Sequence, residues 1–152
     1  MSIDQQIVSE SITIDAPASV IFDILADPRQ HSRIDGSGSV KGSTVGPDRL
    51  EKGATFGAKM KLFGVPYKIS NRVVEFEDDA RIAWRHFGGH RWRYILKPLG
   101  DAQTEVTEQF DYSRYKKIPA KGLEAANFPA RNREGIQQTL RILKTTAEQD
   151  AR

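Results

Sequence analysis

The residues best suited to chemistry lie on three strand-like stretches, at 80–87, 91–98 and 103–113. In TEVTEQFDY (104–112), Val106, Glu108, Phe110 and Tyr112 alternate with Glu105, Thr107, Gln109 and Asp111. The even positions form the apolar face, so Glu108 points inward. A carboxylate among aromatic rings must be paired, hydrated or raised in pKa. Glu108 is therefore a candidate general acid/base, or an anchor for the polar end of a ligand. His86 and Trp84 on the first stretch, with Trp92 and Tyr94 on the second, are its candidate neighbours.

Whether those residues share a face depends on the turn at Gly88-Gly89. A simple two-residue turn sets Arg85 against Trp92 and mixes the faces. A three-residue loop, or one bulge, pairs His86 with Trp92, Trp84 with Tyr94 and Ile82 with Leu96. That register gathers the apolar side chains and leaves Arg81, Arg85, Arg91, Arg93 and Lys97 opposite, so it is preferred. The expected inner face is then Trp84, His86, Trp92, Tyr94, Glu108, Phe110 and Tyr112, the composition of a small-molecule pocket. If Trp92 lies between His86 and Glu108, their backbones are about 9.6 Å apart, two strand spacings, and a substrate could bridge them.

Each assignment has a plainer counterpart. Trp84, Trp92 and Phe110 could be ordinary core, and His86 a satisfied core histidine. Glu108 could be paired structurally with His86, an arginine or Asn132. The hydroxyls of Tyr94 and Tyr112 need partners under either reading. Asn132 stands where a helical stripe calls for an apolar residue, facing a ligand, Glu108 or the backbone. Asp35 opens the turn-rich DGSGS (35–39), a break between elements.

Other motifs fail on spacing. GSGSVKG (36–42) puts Lys41 where the third Gly of a nucleotide loop belongs, and no GK[ST] follows. His86 and His90 straddle the Gly-Gly turn, so they lack the shared helix face of a zinc pair. No metal site and no cofactor is expected. Arg81 to Lys97 holds five basic residues and no acid, with its aromatics on the opposite face from the arginines. A nucleic-acid stacking surface wants both on one side, so a solvated outer face is the simpler reading.

The positioning elements follow from periodicity. Residues 6–15 alternate as a first strand. Asp15 ahead of Pro17 reads as a cap for a helix with Val20, Ile21, Ile24 and Leu25 as its stripe, and Pro28 ends or restarts that helix through about residue 34. Strand and turn patterns then run to residue 113, with a hairpin at Gly64 to Pro66 and turns at Asp78-Asp79 and Gly100-Asp101. Past Pro129, Asn132, Ile136, Leu140, Leu143 and Ala147 mark one stripe of a long final helix. A sheet has one face to cover, and this helix is the long apolar element available to do so.

Composition agrees with one globular domain over 1–152. There are 152 residues, with 23 Lys and Arg against 20 Asp and Glu for a net charge of +3. So small an excess, despite a pI near 9.2, does not by itself point to nucleic acid. Zero Cys removes disulfides, thiol nucleophiles and thiolate zinc sites. The start, MSIDQQIVSE, lacks a secretory pattern, and no apolar run approaches a membrane span, so a cytoplasmic protein is expected.

The order of elements, with APASVIFDILADP (16–28), RWRYILKP (91–98), TEVTEQFDY and the FPARNREGIQQTLRILK helix, resembles the SRPBCC superfamily of START, Bet v 1 and polyketide cyclase/dehydrase proteins. The likeness covers essentially the whole chain and is closest to the bacterial polyketide cyclase/dehydrase and lipid transport type. It implies an α+β helix-grip fold. A curved antiparallel sheet of about seven strands wraps a long C-terminal helix, with two short helices after strand 1. It also implies a deep cavity for hydrophobic or amphipathic molecules. No acid/base set of a characterised aromatase or cyclase is matched, so no catalytic residue carries over.

Three functions follow as expectations. The first is binding of an aromatic, polyketide-like or lipid-like molecule by Trp84, Trp92, Tyr94, Phe110, Tyr112, Asn132 and Asp35. The second is a cyclase/dehydrase using Glu108 and His86 as acid and base. The third is an RNA- or protein-interaction module acting through the basic outer face.

Overall fold

The computed structural model describes residues 7–35, 40–62, 65–85, 90–112 and 128–152. Strand β1 (Ile7–Ile14) leads into helix α1 (Ala18–Leu25), a single 3-10 turn (Pro28–Gln30) and the short helix α2 (His31–Ile34). The strands β2 (Val40–Val45), β3 (Thr55–Leu62), β4 (Val65–Glu77), β5 (Arg81–Arg85), β6 (Arg91–Gly100) and β7 (Gln103–Asp111) follow, then helix α3 (Phe128–Asp150). They form a 7-stranded antiparallel sheet in the order β1-β7-β6-β5-β4-β3-β2. This is the α+β helix-grip arrangement, with two short helices after the first strand and a long last helix.

Local sequence explains most boundaries. The Asp27 carboxylate accepts from the Arg29 backbone N–H at 3.0 Å and caps the turn that Pro28 starts. Asp15, expected to cap α1, does not. Pro17 is the N-cap residue, without a side-chain cap, because Asp15 accepts from Gln103 Nε2 at 3.0 Å instead. The hairpin expected at Gly64 to Pro66 also closes earlier, with Leu62 opposite Val65 and Pro66 already opposite Lys61. Asp79, in the β4–β5 turn, has φ 59°, a left-handed conformation that Asp tolerates better than most residues.

Helix α3 buries Ile136, Leu140, Leu143 and Ala147, the stripe its periodicity predicts. Fully burying each large member is worth about 1.5–3 kcal/mol relative to leaving it exposed. The helix lies mainly along β1 and also meets α1, α2 and β7. Polar contacts fix its position: Arg133 and Gln137 reach Glu10, Lys144 reaches the Thr13 carbonyl, and Glu148 accepts from the Asp15 N–H. At its far end Arg33 of α2 donates twice to Asp150. Ile21, Phe22, Ile24 and Leu25 of α1 complete the core, with Phe22 edge-on to Phe76 of β4.

Candidate functional site

The β5–β6 register differs from the expected one. Trp84 stands opposite Trp92, and Ile82 opposite Tyr94, two residues away from the predicted pairing. Because strand side chains alternate with period two, this displacement leaves each side chain on its predicted face. His86 lies outside the described residues, and its predicted partner Trp92 stands opposite Trp84 instead.

The resulting ladder can be followed across the sheet. One inner row runs Val8, Phe110, Trp92, Trp84, Val73, and the next runs Glu10, Glu108, Tyr94, Ile82, Phe76. A register shift between Val73 and Glu75 lets Val73 and Phe76, three residues apart, belong to the same face. Glu108 is thus placed one row from the indoles and directly beside Tyr94.

Glu108 is 4% exposed, with Tyr94 and Phe110 equally buried around it. Its carboxyl is hydrogen-bonded by the Tyr94 hydroxyl, while Oε1 has no hydrogen-bond partner among the described residues. Loss of solvation pushes its pKa up to about 8. The Tyr94 bond opposes this rise and the negative charge of Asp35 adds to it. Burial, with Glu108 and Asp35 nearby, holds the Tyr94 phenol well above its ordinary value. Glu108 is consequently a proton-bearing carboxylic acid at neutral pH, with one oxygen that has no hydrogen-bond partner among the described residues.

Two aromatic groups, joined by the Trp84–Trp92 cross-strand pair, line the row next to this carboxyl. In one, Trp92 packs on Phe110 at 4.8 Å between centroids, Phe110 stacks with Tyr112 at 5.6 Å, and His90 lies 5.2 Å from Phe110. In the other, Trp84 stacks on His31 at 4.8 Å and 19°, meets Phe56 edge-on at 5.4 Å, and tilts against Tyr94 at 5.7 Å. Both indoles are only half-buried, although they face the core. Asp35 follows α2, is half-buried, and its charge reaches Glu108 and Tyr94. Asn132 lies in the first turns of α3, with its side chain outside the described residues.

His31 is a neighbour that sequence reasoning missed. Its Nε2 donates to the Leu25 carbonyl at 2.9 Å, which defines the neutral tautomer. Burial pushes its pKa down, against that hydrogen bond and the charge of Asp27. No sequence spacing links position 31 to position 84. The stack arises because α2 lies against β2, from where the His31 ring reaches Phe56 on β3 and Trp84 on β5.

The outer face corrects another expectation. Arg91 and Arg93 are not a solvated basic row, their side chains being 18% and 12% exposed. Arg93 donates to both oxygens of Glu75, at 3.0 and 2.7 Å, to Gln109 at 2.9 Å and to Asp111 at 3.2 Å. Arg91 shares Glu75 at 2.9 Å. Burial opposes ionisation of Glu75, but its bonds from Arg93 and Arg91 win, and its pKa is lowered. Glu75 belongs to the acidic EFEDD (75–79) that sits beside the basic run in the sequence, and past the β4 irregularity it stands opposite Ala83, in one row with Arg93. Arg81, Arg85 and Lys97 do face solvent.

A seven-stranded antiparallel sheet gripping a C-terminal helix, with aromatic residues and a buried carboxyl on its inner face, defines a helix-grip protein of the SRPBCC type. The chain belongs to the polyketide cyclase / dehydrase and lipid transport family, whose model matches residues 5–148. An uncharacterized protein of Mycobacterium tuberculosis is 43% identical over 135 residues, covering 88% of this chain and 60% of that protein. The chain therefore spans about 60% of the length of that curated relative. The solution structure of the KanY protein superposes with a TM-score of 0.74 at 14% identity, over 97% of this chain and 99% of that one. The Zhui aromatase/cyclase from a Streptomyces species gives a TM-score of 0.66 at 14% identity, over 96% and 95%. At such identities these two structures share the fold alone. No helix among the described residues is long and apolar enough to cross a membrane.

Proposed function

We propose that this domain binds a hydrophobic small molecule, polyketide-like or lipid-like, between the sheet and α3. Trp84, Trp92, Phe110 and Tyr112 supply apolar and stacking contact, and Glu108 with Tyr94 orients the polar end. The observation that carries this reading is Glu108 itself, a buried carboxyl with an unpartnered oxygen beside two half-exposed indoles. An unpaired buried polar atom is costly, and a ligand group is one way to satisfy it. Asp35 and Asn132 belong to the same proposal, at the rim and on the helix side.

Native mass spectrometry of protein purified from its own cell tests this directly. A co-purified small molecule, displaced on mutating Trp84 and Trp92, is the expected result. A ligand-free mass that also fails to take up hydrophobic probes would overturn the reading.

A second reading, cyclase or dehydrase chemistry, is favoured by one observation: a carboxyl whose pKa lies near neutrality beside a phenol. Such a group can remove a proton next to a carbonyl and return it to oxygen. The aromatase/cyclase activity named for one structural relative is in keeping with it. His86 remains the proposed second acid/base. Glu108→Gln separates the readings, since retained ligand affinity with lost turnover marks an enzyme. Absence of turnover in the wild type marks a carrier.

A further inference from the structure

The chemistry around Glu108 says something about the polar end of the ligand. We propose that this site takes a hydrophobic cation, an ammonium group seated against the aromatic rings with Glu108 as its counter-ion. The inference rests on the hydrophobic-ligand reading above.

The neighbours of Glu108 supply negative charge and electron-rich rings. Tyr94 on β6 donates to its carboxyl, and Asp35, after α2, adds a second negative charge. Glu10 is its cross-strand partner on β1, and Glu10 is itself paired with Arg133 of α3. His31, on the far side of Trp84, has its pKa lowered and stays neutral around pH 7. His90 packs against Phe110. Among the described residues no cation is bonded to Glu108, and its buried Oε1 has no hydrogen-bond partner. Aromatic faces attract cations by up to about 2 kcal/mol or more when desolvated. A ligand carboxylate would instead meet the negative charge of Asp35 and, above the Glu108 pKa, that of Glu108 as well.

Proton balance makes the proposal testable. Without ligand, Glu108 holds its proton up to about pH 8. When an ammonium ion enters, the carboxyl ionises, the proton leaves to solvent, and the cation–carboxylate pair replaces the acid. Binding a permanently charged cation must therefore strengthen about tenfold per pH unit below the Glu108 pKa and level off above it.

The probes are benzyltrimethylammonium, its uncharged carbon isostere neopentylbenzene, and phenylacetate, each titrated into the full chain at pH 6, 7 and 8. At pH 8 the ammonium should bind tightest and phenylacetate weakest. Heats measured in buffers of different ionisation enthalpy should show a proton released with the ammonium alone. Glu108→Gln should abolish both the cation preference and the pH dependence while keeping affinity for neopentylbenzene, which also excludes His90 as the source. Neopentylbenzene binding as tightly as the ammonium at pH 8 would overturn the proposal and leave the hydrophobic pocket standing. A cation preference that persists in Glu108→Gln, or that comes without proton release, would overturn it too. Binding of none of the three would remove both this proposal and the reading beneath it.

Discussion

Glu108→Gln offers the sharpest quantitative test of the buried carboxyl, independent of any ligand. The amide keeps the shape and can still accept from Tyr94, but it carries no titrating proton. In the unfolded chain the glutamate ionises near 4.5, and in the folded protein near 8. Between those values the folded state holds a proton that the unfolded state has released. Stability from this group is thus complete below pH 4.5 and is lost as pH rises towards 8. The slope is about 1.4 kcal/mol per pH unit, or roughly 4 kcal/mol between pH 5 and pH 8. Urea denaturation of both proteins across that range, with unchanged m-values, isolates it, because every other titrating group cancels in the difference. The glutamine variant should gain on the wild type steadily with rising pH. A difference that stays constant within about 1 kcal/mol from pH 5 to pH 8 would show that Glu108 is already ionised in the folded state, and the site as described would be wrong.

Tyr94→Phe removes the hydrogen bond that opposes the upward shift of Glu108. The Glu108 titration, followed by carboxyl carbon NMR, should move to higher pH, with about 1–3 kcal/mol of stability lost. Arg93→Met takes from Glu75 and Asp111 the cation they share and should cost about 1.5–3 kcal/mol in chemical denaturation. Arg33→Met, at a far more exposed pair, should cost under about 1 kcal/mol. A Cβ at Gly46 would lie 2.7 Å from Phe56 Cβ and 3.3 Å from Pro28 Cγ. Gly46→Ala should therefore destabilise by about 1–3 kcal/mol and perturb Trp84 fluorescence through Phe56. The His31 ring, buried with its Nε2 proton on the Leu25 carbonyl, should show nitrogen shifts of the neutral tautomer at pH 6.5, where an ordinary histidine is half-protonated.

Alternation along β5, β6 and β7 is enough to assign their residues to the two faces of the sheet. Alternation in TEVTEQFDY places Glu108, Phe110 and Tyr112 together, and the stripe from Ile136 to Ala147 marks the helix face that covers them. Period-two and period-3.6 patterns are local, so a single chain segment carries them in full. The register of β5 against β6 was legible only to within two residues, because hydrophobic alternation is unchanged by that displacement. Which groups touch was decided by the tertiary structure. Tyr94 as partner of Glu108, His31 stacked on Trp84, and Glu75 and Asp111 holding Arg93 all join residues distant along the chain. They meet through strand order, a bulge in β4 and the placement of α2. The ionisation of Glu108 belongs to the same class, since it reflects the solvent that folding removes from around it.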